Sequence, residues 1–135
     1  MGPSLRVASL ASFLMPDQYD VARIALALPD AVADDSEFSF RVNGRQFVHV
    51  WRERVDPKKT KVPNTDVVVV SVRDEMDKQT LLASGAPQIF TEPHYDGYAS
   101  ILVRLSDVDA VLLEKLITDS YDLAVAKAPV KKRAG

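Results

Sequence analysis

The stretch Glu37-Phe-Ser-Phe-Arg-Val-Asn43-Gly44-Arg-Gln-Phe-Val-His-Val-Trp-Arg52 decides the fold class of this chain. Two runs that alternate with period two flank Asn-Gly, a dipeptide that accepts the positive backbone angles of a tight hairpin turn and so joins antiparallel strands. A two-residue turn puts Val42 opposite Arg45, Phe40 opposite Phe47 and Phe38 opposite His49. One face then carries Phe38, Phe40, Val42, Phe47, His49 and Trp51 and reads as core, with His49 a satisfied, mostly buried histidine. Glu37, Ser39, Arg41, Gln46, Val48, Val50 and Arg52 share the other face. That mixture is too apolar for plain surface and too charged for a deep core, so a cover is expected over it.

Outward from the hairpin, residues 16–28 place Val21, Ile24, Ala25 and Leu28 at helical spacing behind Asp17, and Pro29 stops the helix. Residues 66–72 form a Val-rich run whose apolar continuity suits a central strand. Ser71 with Asp74 reads as an N-cap pair for a helix over residues 73–84, ended by Gly85 and Pro87. A short strand at residues 88–91 and a strong one at 99–105 follow. Ser106 then caps a long helix through about residue 126, with Val108, Leu112, Leu113, Leu116, Ile117 and Leu123 available to pack, and Pro129 ends it. The order α-βββ-α-ββ-α, opening on a hairpin rather than a βαβ crossover, predicts an α+β two-layer domain: an antiparallel-rich sheet with helices on one face.

At 135 residues the chain is the size of one domain, and 47% hydrophobic with 27% charged residues is ordinary for a globular protein. Cysteine is absent, which removes disulfides, thiolate nucleophiles and cysteine-based metal sites together. No apolar run reaches the roughly 20 residues of a membrane span. Residues 1–14 imitate a signal peptide only faintly, because Ser9 and Ser12 interrupt the apolar run and no Ala-x-Ala site follows. Arg6 also breaks a myristoylation pattern. The reading is an N-terminal extension over residues 1–14, a single domain over 15–135 with a basic C-terminal tail, and a cytoplasmic location.

Three further segments carry a resemblance. Pro93-His-Tyr-Asp-Gly-Tyr98 running into residues 99–105, with Ile24-Ala-Leu-Ala-Leu-Pro29 upstream and Leu116-Ile-Thr-Asp-Ser-Tyr-Asp-Leu123 downstream, resembles the MmcQ/YjbR family. These are small bacterial proteins described as DNA-binding, with a double-wing motif. The resemblance spans residues 17–133 and implies a two-layer fold like that of secretion chaperones or frataxin, and DNA as the partner.

Charge is placed more informatively than the net value of −2 suggests. Between residues 41 and 61, Arg41, Arg45, Arg52, Arg54, Lys58, Lys59 and Lys61 face only Glu53 and Asp56, seven cations against two anions and a local charge of +5. Lys127, Lys131, Lys132 and Arg133 end the chain. Such clusters suit phosphate contact, since each neutralised phosphate releases counterions; equally, basic loops and tails keep acidic proteins soluble. The DNA-contact candidates are Arg45, Arg52, Arg54, Lys58, Lys59, Lys61 and Arg104, the last also suited to a salt bridge with a neighbouring strand.

His94 has three readings: a structural turn residue beside Gly97, a ligand-pocket contact, or a metal ligand with Glu92 and Asp96. The spacing matches no metal motif. Tyr95 and Tyr98 join it as pocket candidates, and with Trp51 they either stack bases or belong to the core. No phosphate loop, nucleophile elbow or HExxH is present, so no catalytic residue, cofactor or metal is expected. A frataxin-like iron ridge would need a denser acidic first helix than Asp17 and Asp20 supply. The reading is a non-enzymatic DNA-binding protein; the alternative is a protein-interaction or small-ligand module on the open sheet face. With Val48 and Val50 exposed there, a homodimer through that face is expected.

Overall fold

A computed structural model describes residues 16–34 and 38–127. Helix α1 (Gln18–Leu26) starts where the sequence predicts, because Asp17 caps it. The Asp17 carboxylate accepts the amides of Tyr19 and Asp20 while Asp20 accepts the amide of Asp17 in return. Strands β1 (Val32–Ala33), β2 (Ser39–Val42), β3 (Arg45–Glu53) and β4 (Val62–Ser71) follow, then α2 (Glu75–Ala83), β5 (Ile89–Phe90), β6 (Ser100–Arg104) and α3 (Ala110–Ala126). All pairings are antiparallel, in the order β1-β2-β3-β4-β6-β5. The expected α+β two-layer fold is present. It gains the two-residue strand β1, too short to leave a pattern in the sequence.

Helices α1 and α3 lie on one sheet face, with Leu81 and Leu82 of α2 packed into the same core as Val68, Val70, Ile101 and Val103. Strand β4 is central, as expected, and its residues 67–70 are buried from both sides. Two caps differ from the sequence reading. Asp74 alone caps α2, receiving the Asp77 amide at 2.8 Å, while Ser71 ends β4. Asp109 caps α3, and Ser106 instead gives its amide and hydroxyl to the Asp66 carboxylate at 2.9 and 2.8 Å. In both cases a carboxylate three residues nearer the helix wins over a hydroxyl.

The Asn43-Gly44 turn forms with both residues at positive φ, 53° and 79°, and Val42 faces Arg45. The register beyond it does not hold. Arg41 faces Gln46, but Phe40 faces Val48 and Ser39 faces His49, so Phe47 is one extra residue on β3. Because side chains alternate strictly, one inserted residue sends everything after it to the opposite face. Phe47 and Val48 are therefore both buried, Val50 is only 2% exposed, and His49 and Trp51 turn to the face away from the helices. Phe38 lies outside the strand at φ 55°, its ring edge-on to Tyr19. Val48 and Val50 thus offer no apolar surface to a second copy, and the dimer face expected on them does not exist.

A second irregularity shapes the far end of the hairpin. Val50 pairs with Val68 but Trp51 pairs with Asn64, leaving residues 65–67 outside the β3 ladder. Strand β2 has ended by then, and β6 meets β4 only from Val67 onward. The pairs Trp51–Asn64, Arg52–Pro63 and Glu53–Val62 consequently form a two-stranded ribbon projecting beyond the sheet.

Candidate functional site

On the face away from the helices, Val67, Val69 and Leu102 form a small apolar floor with Trp51, Phe90 and Tyr95 packed on it. The 93–98 segment covers this floor, not the Val48 and Val50 face for which the sequence reading expected a cover; the bulge has turned Val48 to the helix side and buried Val50. Pro93–Tyr95 makes one turn of 3-10 helix, closed by Tyr95 N–H to Glu92 O at 2.8 Å, and Gly97 turns the chain at φ 84°. What fixes the segment is Lys78. Its side chain is only 2% exposed, and Nζ donates to the carbonyls of Tyr95 at 2.7 Å and Tyr98 at 2.9 Å. An ammonium supplies several donors to a turn whose carbonyls the sheet cannot satisfy, and two charge-assisted bonds offset part of its desolvation. The sequence reading missed this residue. The available signal was a lysine three and four residues before Leu81 and Leu82, in the apolar stripe of α2.

Beside this cover lies a recess of about 260 Å³ lined by Ser39, Gln46, His49, Val50, Arg52, Lys61 and Tyr95. A second, also about 260 Å³, is lined by Trp51, Glu53, Arg54, Glu92, Pro93 and His94, and shares Arg52 and Lys61 with the first. His49 Nδ1 lies 2.9 Å from the Val50 carbonyl; a carbonyl only accepts, so Nδ1 carries the proton and Nε2 is left to titrate. Burial, with Arg52 and Arg41 nearby, holds the His49 pKa below its ordinary value. Burial pushes the Tyr95 phenol up, so it remains a neutral donor. His94 is exposed and edge-on to Tyr95 at 5.1 Å, and Tyr98 is largely exposed.

The basic candidates separate into three places. Arg52, Arg54, Lys58, Lys59 and Lys61 gather on the ribbon and its loop, where Arg54 donates to Lys59 O at 2.7 Å and Asp56 accepts the Lys58 amide at 2.9 Å, giving the loop a set shape. Arg45 sits at the other end of β3, roughly 23 Å away along an extended strand, lining a different recess with Lys127 and Ser120. Arg104 is occupied: its guanidinium lies 4.8 Å from the Phe90 ring centre, with Asp66 and Asp107 carboxylates at 3.7 and 3.9 Å. Among the described residues no group of three His, Cys, Asp or Glu side chains could hold a metal, and no helix is long and apolar enough to cross a membrane. The rest of the basic tail, residues 131–133, lies outside the described residues.

A family model described as YjbR matches residues 26–123. An uncharacterised protein of Mycobacterium bovis is 36% identical over 120 residues, covering 83% of this chain and 91% of its own length. Uncharacterised counterparts in two strains of Mycobacterium tuberculosis match to the same extent. No solved structure matches the chain.

Proposed function

The chain belongs to the YjbR family, and from that premise we propose that it is a non-enzymatic binding protein whose projecting basic ribbon contacts the phosphates of DNA. The observation that carries this reading is the ribbon itself. Two strands free of sheet neighbours carry Arg52, and the loop joining them carries Arg54, Lys58, Lys59 and Lys61, against Glu53 and Asp56, on a chain whose net charge is negative. A two-stranded ribbon is narrow enough to follow a DNA groove, and phosphate contacts from its loop would position it without reading sequence. A DNA partner would place the protein in the cytoplasm.

Fluorescence anisotropy of labelled duplex DNA at two salt concentrations tests the proposal. Five phosphate contacts give a slope near −4.5 in log K against log salt, a loss of roughly 500-fold between 50 and 200 mM. Absent binding, or affinity indifferent to salt, would refute it. The second reading, a small-ligand module on the open sheet face, is favoured by the recess between His49 and Lys61.

A further inference from the structure

We propose that the recess between His49, Arg52, Lys61 and Tyr95 is a site for a phosphate monoester, the group carried by a free mononucleotide or by a phosphorylated DNA end. Only the second source rests on the DNA reading.

Arg52 and Lys61 make no hydrogen bond or ion pair among the described residues, although both border a concave site. Other cations on the same face are spent: Arg41 on Asp34 at 2.7 Å, Arg104 on Phe90 and two carboxylates. The polar floor is organised as well. Gln46 donates to the Ser39 hydroxyl, which donates to Asp34, so Asp34 is held from two sides. What remains at the recess is two exposed cations without a side-chain partner among the described residues, a neutral phenol and the one titratable nitrogen of His49.

That inventory matches a dianion better than a diester. A backbone phosphate carries one charge and is flanked by sugars on both sides, whereas a terminal phosphate carries up to two charges and presents three acceptor oxygens at the end of a chain. Tyr95, packed on the sheet and anchored through Lys78, bounds the recess and leaves entry to an end rather than to a continuous strand. His49 faces Arg52 of its own strand, Arg41 of β2, Lys61 at the start of the β4 arm, and Tyr95 above the sheet. Burial is the main cause that disfavours the protonated His49 ring, and Arg52 and Arg41 add to it; an anion among these groups offsets the cationic part and favours the protonated ring, so binding takes up a proton.

Calorimetric titration with a nucleoside 5′-monophosphate, set against the nucleoside alone, measures the site without DNA. We expect saturable one-to-one binding by the phosphate only. Arg52→Gln should weaken it about 10- to 100-fold, the range of one charge-assisted hydrogen bond. The unaltered protein should bind more tightly at pH 6 than at pH 8, and His49→Gln should remove that gain; comparing the two at each pH cancels the titration of the phosphate itself. Chemical shifts of the His49 ring during phosphate titration read the same event with no substitution. For the DNA source, a duplex with 5′-phosphates should bind about tenfold more tightly than the same duplex with 5′-hydroxyls, a preference lost in Arg52→Gln. Saturable nucleotide binding without duplex binding would sustain the recess and reject the DNA reading. Duplex binding with no end preference and no nucleotide binding would reject the recess and leave the DNA reading intact.

Discussion

The hydroxyl of Ser120 donates to the carbonyl of Phe47 at 2.6 Å, joining α3 to the extra residue of β3. The same oxygen accepts the Ser71 amide at 2.9 Å. The bulge parts β3 from β4 just past the Val48–Val70 pair, and one buried hydroxyl replaces the ladder bond that Phe47 and Ser71 would have made.

Ser120→Ala should therefore leave a buried carbonyl and a buried amide unpaired, costing roughly 2–4 kcal/mol. Urea unfolding, with the slope unchanged and the midpoint lowered, checks this. A loss under about 0.5 kcal/mol would mean that water or a restored ladder bond fills the gap.

The same pair explains how much could be read in advance. Asn43-Gly44 announces its turn because the constraint is local: two positive φ angles suit those two residues. Phe47-Val-His-Val-Trp51 puts apolar side chains on both faces of the strand, a pattern compatible with either register, and what stabilises the bulge lies 73 residues away in sequence. One slipped residue then misplaced Val48, Val50, His49 and Trp51 together. For the candidate site, the cations were legible as a charge run, but their division was not. That Arg104 is engaged by Phe90, Asp66 and Asp107 is a property of the folded sheet.

Lys78 gives a second prediction. Lys78→Met keeps the stem's packing but strands the Tyr95 and Tyr98 carbonyls, so the 93–98 segment should loosen while the sheet survives. Hydrogen exchange at the Tyr95, Asp96 and Tyr98 amides, which close turns within this segment, should speed up at least tenfold. Unchanged protection there would show that Tyr95 packing alone holds the cover.

The depressed pKa of His49 sets a pH dependence of stability. Near its ordinary value of about 6.5 the unfolded chain takes up a proton that the folded protein refuses. The contribution is complete above that pH and declines as pH falls below it toward the folded value. His49→Gln should flatten the fall in melting temperature between pH 7.5 and 5.5. An identical fall in both proteins would assign the dependence to carboxylates.

The ribbon supplies a counting experiment. Lys58→Gln, Lys59→Gln and Lys61→Gln combined remove three of its five cations without adding repulsion. The slope of log K against log salt for duplex DNA should then change from near −4.5 to about −1.8, since each phosphate contact contributes about 0.9. Arg45→Gln is the comparison, because its position at the hairpin turn puts it beyond reach of a duplex seated on the ribbon. If Arg45 changes the slope as much as one ribbon lysine does, DNA runs along the whole of β3 rather than across its projecting end. If the triple variant keeps the parent slope, the ribbon is not the contact, and the basic loop serves only to keep a phosphate-binding recess within a positive field.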